Sequence, residues 1–162
     1  MYKRYYVSKK KATTPKYQVR EKRFNFLKNW RVVRYYIMRK YNITQVELEM
    51  LLYLYDENLF TKTDFKEFEQ SMAWRKERFD QLMEKEYIRL WRKGTGNQAS
   101  LYELTMSAKM ICNQTYKKLT GEEHISESPN QNIVFKGEKY MDKIYRKLIR
   151  KMNEKNQSKN DI

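Results

Sequence analysis

At 162 residues, with 40% hydrophobic and 15% aromatic side chains, the chain suits one domain with appended helices or tails. Gly 4 and Pro 2 favour a mostly helical fold over a turn-rich one. A net charge of +15 points to a polyanion partner or an anionic surface, and the lone Cys112 excludes an internal disulfide. No stretch approaches the ~18 apolar residues of a membrane span, and the N-terminus lacks a signal peptide's apolar core. A soluble, cytoplasmic, nucleoid-associated protein with no membrane partner is expected, and its high Lys, Asn and Tyr usage suggests an AT-rich bacterial or viral coding genome.

Residues 1–22 interleave cations with Tyr2, Tyr5, Tyr6 and Tyr17, and Pro15 interrupts any helix, which reads as a basic flexible arm. Through Lys40 the chain carries fourteen Lys and Arg against the single acid Glu21, so the charge is concentrated rather than diffuse. Lys3, Arg4, Lys9, Lys10 and Lys11 are candidates for nonspecific phosphate contacts; the plainer alternative is a solubilising tail.

Residues 23–41 place Phe26, Trp30, Val33, Ile37 and Tyr41 on one stripe and predict an amphipathic first helix. Thr44-Gln-Val-Glu47 has the spacing of a capping box and starts a second, nearly all-apolar helix that belongs at the centre of the domain. Thr63 and Asp64 suit the start of a short third helix that buries Phe65 and Phe68. Acids outnumber Lys62 and Lys66 through this region, so it is a poor surface for a polyanion.

The stretch Ser71 to Leu104 organises the rest. Phe79, Leu82, Met83 and Glu86 share a helical face, with Met72 further back on the same side, which predicts a fourth, cationic helix. From Tyr87 the period changes to two, with Ile88, Leu90, Leu101 and Leu104 inward and glycines between them, the pattern of a hairpin. On this wheel Ala73, Trp74, Glu77, Arg78 and Gln81 point outward, while Arg75 and Lys76 flank the core and extend toward phosphates. Arg78 and Gln81 suit base-edge readout. Trp74 either packs on the third helix or the hairpin, or makes apolar contact with thymine methyls or sugars. Ser71, Arg92, Lys93, Asn97 and Gln98 complete the candidate DNA-contacting set.

Thr105 as cap and Gly121 as stop bound a fifth helix over 105–120, in which Cys112 reads as a buried small hydrophobe. Residues 122–132 have loop composition, and lone His124 there has no companion ligand for a metal. A last helix over about 136–152 carries a double stripe that packs either on its own chain or on a second copy. Residues 153–162 read as a disordered tail. No phosphate loop, dinucleotide fingerprint, zinc cluster or triad is present, so neither an enzyme nor a cofactor is expected.

This order of helices, basic helix, wing and terminal helices resembles the winged-helix transcription regulators of the MarR family over about residues 23–152. Gln81-Leu-Met-Glu-Lys-Glu-Tyr-Ile-Arg89 is similar to the family's exit from the reading helix into the wing, and Leu104-Thr105 and Thr44-Gln-Val-Glu47 also match. The chain departs from the pattern at Glu86, where the family usually has a glycine. It departs again at Gly96-Asn-Gln98, where the wing usually carries an aspartate and an arginine; Arg92 and Lys93 offer the cationic contact instead. The resemblance implies a mostly α winged helix-turn-helix with a two-stranded wing. It also implies a homodimer on double-stranded DNA, held through terminal helices bearing Trp30, Ile111, Tyr116, Tyr140, Ile144 and Leu148. The leading expectation is a sequence-specific DNA-binding regulator. The rival is a winged-helix interaction module that binds a protein such as RNA polymerase, with nonspecific nucleic-acid affinity from the arm.

Overall fold

The computed structural model describes residues 25–72, 75 and 77–160, with 157–160 described as backbone only. The predicted arm, with Lys3, Arg4, Lys9, Lys10 and Lys11, lies outside the described residues, as do Ala73, Trp74 and Lys76. Among the described residues are seven helices and a two-stranded sheet. None of these helices is long and apolar enough to cross a membrane.

Helix α1 (Phe26–Tyr41) starts where the Asn25 side chain accepts from the Lys28 N–H at 3.0 Å. It buries Val32, Val33, Tyr36 and Ile37, whereas Phe26, at the head of the predicted stripe, is 58% exposed. Asn42 ends it in the left-handed region, which Asn tolerates better than most side chains. In α2 (Gln45–Tyr55) the capping box forms as the sequence predicts: Glu47 N–H donates to Thr44 Oγ1, and Thr44 N–H donates to Glu47 Oε2. Leu48, Met50, Leu51 and Leu54 are buried at the centre of the domain, each contributing about 1.5–3 kcal/mol through burial. Lys85 Nζ donates to Glu47 Oε1 at 2.6 Å, tying the start of α2 to the base of the wing. Burial alone would raise the Glu47 carboxyl; the Lys85 ion pair and the hydrogen bonds from Thr44 outweigh it and hold the group below its ordinary range.

Helix α3 (Lys62–Met72) is capped by Thr61, whose Oγ1 accepts from Asp64 N–H while Asp64 Oδ2 accepts from Thr61 N–H. It then runs on through Ser71 and Met72. The predicted fourth helix, α4 (Glu77–Glu84), is therefore shorter than expected, and Ser71 and Met72 belong to α3. The Ser71 hydroxyl donates to the carbonyl of Phe68. No Pro or Gly stands between Phe68 and Phe79 to mark this break. Phe79 and Leu82 are buried as predicted, with Phe79 edge-on to Phe65 at 5.2 Å and to Tyr102 at 5.0 Å.

Helix α4 closes with paired reverse bonds, Tyr87 N–H to Leu82 O at 2.9 Å and Glu86 N–H to Met83 O at 3.0 Å. This places Glu86 at φ 58°, where a Cβ is strained. The position where Glu86 departs from the family's glycine is thus one whose backbone favours glycine. Glu86→Gly is expected to raise the unfolding free energy by about 0.5–1 kcal/mol, the left-handed penalty less the added unfolded-state entropy. A higher urea midpoint at unchanged slope checks this, and an unchanged or lower midpoint refutes it.

Strands β1 (Ile88–Arg92) and β2 (Leu101–Leu104) pair antiparallel, with a register shift between Leu90 and Arg92. Phe60 adds a single bridge to Tyr102 that nothing in the sequence pattern anticipates. Helix α5 (Met106–Thr120) has the predicted Thr105 cap and Gly121 stop and buries Cys112, whose thiol burial pushes up to about 12. A short α6 (Ile133–Lys136), capped by Asn132, lies just past the predicted loop.

Helix α7 (Tyr140–Asn160) continues well past Met152, so the predicted disordered tail is helical through Asn160. Its reason is polar rather than apolar packing. Asn153 donates to Ile125 O and accepts from Ile125 N–H, and Asn156 is buried close to Gly121. Helix α7 packs on α1 of its own chain: Tyr145 stacks on Tyr35 at 3.8 Å, and Ile149 and Met152 are buried. Asp142, fully buried, accepts from Tyr35 Oη at 2.7 Å and from Arg39 Nε and Nη2 at 3.2 and 3.1 Å.

Candidate nucleic-acid interface

The surface built by α4 and the wing differs from the cationic helix expected. Within α4 the exposed side chains are Glu77, Asp80, Gln81 and Glu84, with Arg78 partly buried. Glu77 and Asp80 lie in the first turn, where they complement the helix dipole; Asp80 also pairs loosely with Lys62 at 3.8 Å. Exposed Arg75 precedes the helix, and its carbonyl accepts from Arg78 N–H at 2.9 Å. Arg78 reaches Gln81 Oε1 at 3.4 Å, so the two predicted base-reading side chains are neighbours one turn apart. The helix thus displays polar side chains among acids, and the cationic side chains stand at its entrance and on the wing.

The wing projects from the body. Beyond buried Ile88, every residue of β1 is exposed, including Leu90, which the alternating pattern placed inward. The shifted register, with Leu90 opposite Tyr102 but Arg92 opposite Leu101, interrupts the alternation. Arg89 is held by Glu103 at 2.7 Å, and Lys109 shares that carboxylate at 3.7 Å. Arg92 and Lys93 are exposed, with no carboxylate in ion-pair range among the described residues. At the tip, Gly94 N–H donates to Ser100 Oγ at 2.9 Å, and Gln98 N–H closes a turn on Thr95 O across Gly96 at φ 59°. A Cβ on Gly94 would lie 2.2 Å from Gln98 O, so only glycine fits there. Asn97 and Gln98 are thereby displayed on a defined turn.

A surface residue absent from the predicted set is Trp91, 52% exposed on β1 beside Arg92, whose guanidinium lies 5.9 Å from its ring centroid. Its signal is the unbroken run Leu90-Trp-Arg-Lys93, which a strict alternation obscures.

Of the predicted dimer residues, Ile111 is 2% exposed and already covered within its own chain, which removes it from any surface for a second copy. Trp30 packs partly on the core, Tyr116 is half-exposed 5.8 Å from Tyr55, and Tyr140 is 76% exposed. Ile144 and Leu148 line a groove of about 440 Å³ between α7 and the first half of α1, with Leu27, Arg31 and Met141.

Helices α2, α3 and α4 followed by the β1–β2 hairpin define a winged helix-turn-helix, mostly α, with helical extensions at both ends. No protein-family model matches the chain, and no curated protein matches it. Two solved structures are similar to it. One is the reduced form of MarR from E. coli, 18% identical with a TM-score of 0.45 over 60% of this chain and 71% of that one. The other is a cysteine-to-serine mutant of E. coli MarR complexed with operator DNA, 18% identical with a TM-score of 0.43 over 59% and 71%.

Proposed function

We propose that this protein is a DNA-binding transcription regulator that places α4 against the major groove and its wing on the adjoining backbone and minor groove of double-stranded DNA. The observation that carries the reading is the projecting wing, with Arg92 and Lys93 uncompensated beside a helix that displays Arg78 and Gln81. Phosphate contacts supply affinity through Arg75, Arg92, Lys93 and the N-terminal arm, while Arg78, Gln81, Asn97 and Gln98 supply selectivity. The active form is a homodimer in which the α1–α7 groove, with Ile144, Leu148 and exposed Tyr140, meets a second copy.

Exposed Glu77, Asp80 and Glu84 on α4 favour a second reading, an interaction module whose acidic helix docks a basic protein surface such as one on RNA polymerase. Competition among duplex DNA, single strands and RNA separates the two. A duplex preference, with a palindromic site emerging from selection on random duplexes, supports the regulator. Equal binding to all three nucleic acids overturns it in favour of the module.

A further inference from the structure

The wing carries an apolar surface that the fold does not use. Leu90 is 45% exposed and Trp91 52% exposed, adjacent on a strand that no described element covers beyond Ile88. Trp91 falls at the register shift and has no cross-strand partner in the ladder, so the irregularity itself puts it on display. The tip beyond it is closed by the Gly94–Ser100 hydrogen bond and the Thr95–Gln98 turn. Arg92 lies over the indole, and Lys93 follows it, both without carboxylate partners among the described residues.

Resting on the DNA-binding reading above, we propose that Trp91, with Leu90 beside it, is an apolar wedge that enters an opened base step from the minor groove and kinks the bound duplex. Charge selects the occupant. Two copies of this patch would bring Arg92 and Lys93 against each other, whereas a polyanion satisfies both while the indole takes an apolar face. Nucleobases supply that face, and in duplex DNA they do so only where a step is unstacked. Flexible pyrimidine–purine steps such as TA unstack at least cost, so the wedge adds a preference for deformable sites without any base-edge hydrogen bond.

The experiment uses the full chain, a short duplex with central TA steps carrying a fluorophore at each end, and the same duplex with 2-aminopurine at the step. Wild-type protein should shorten the end-to-end distance and brighten the 2-aminopurine. Trp91→Ala should bind about 5- to 150-fold more weakly, the span of one base–aromatic stack, and should leave the duplex straight. Trp91→Phe should recover most of both effects. Because Trp91 is exposed, circular dichroism and thermal melting of both variants should match wild type. Binding and bending by Trp91→Ala equal to wild type would overturn the wedge while leaving the DNA-binding reading intact. Tighter binding to single strands with the same Trp91 dependence would overturn it in favour of a single-strand platform. Failure of the wild-type chain to bind any duplex would overturn the DNA-binding reading and the wedge together.

Discussion

Replacing Asp142 by alanine is expected to lower the unfolding free energy by about 3 kcal/mol. Asp142 is fully buried on α7, and its two oxygens take three hydrogen bonds from Tyr35 and Arg39 on α1. Truncation leaves the Tyr35 hydroxyl and the Arg39 guanidinium facing a site built for an anion. Arg39 keeps 25% exposure and can rehydrate in part, which sets the effect at the lower end of the range for broken buried pairs. The α1–α7 seam should loosen first, so amides of α7 should exchange faster than those of α2.

The same deficit should depend on pH. Burial alone would raise the Asp142 carboxyl, but the hydrogen bonds from Tyr35 and Arg39 and the Arg39 charge hold it below the ordinary value. A carboxylate whose folded-state pKa is depressed stabilises fully above its unfolded pKa of about 3.9 and loses that contribution as pH falls through the folded value. Burial and the bond to Asp142 raise Tyr35 to about 12, so its hydroxyl remains a donor throughout this window. Urea midpoints of wild type and Asp142→Ala should therefore differ widely at neutral pH and converge in acid. A constant difference across the acid range would refute the charged account of this seam.

How much of this is legible in the sequence depends on the range of the interaction. The Thr44–Glu47 box, the Thr105 cap and the Gly121 stop are contacts within a few residues, and all three form as the spacing predicts. The Asp142 network joins residues more than a hundred positions apart, and one of the two acids in a basic helix gives no hint of its partner. Likewise Asn153 and Asn156 look like tail composition until Ile125 and Gly121 are seen beside them. In the site, the α3–α4 break carries no breaker residue, so the sequence pattern sets the boundary too early and assigns Ser71 and Met72 to the fourth helix rather than to the third. Leu90 is exposed although the ladder is regular through its pair with Tyr102, and the register shift just beyond it conceals Trp91, since an alternating pattern assumes an unbroken ladder.

Changing Arg75, Arg78 and Arg92 together to alanine is expected to weaken duplex binding by roughly 10²- to 10³-fold at low salt, about tenfold for each charge-assisted hydrogen bond removed. The salt slope should flatten by up to about 2.7 if all three meet phosphates, and by roughly 1.8 if Arg78 reads a base. Single variants separate those roles. Arg92→Ala should lower affinity for all sequences alike, whereas Arg78→Ala should chiefly erase discrimination at one base position, because Arg78 stands beside Gln81 on α4 rather than on the open wing. Arg89→Ala provides the internal comparison: its guanidinium is already neutralised by Glu103, so its removal should change the slope least. None of the three arginines has a carboxylate in ion-pair range among the described residues, so stability should stay within about 0.5 kcal/mol. Titrations at two salt concentrations decide the matter, since a triple variant that binds as wild type at both would remove the wing and the entrance to α4 from the interface.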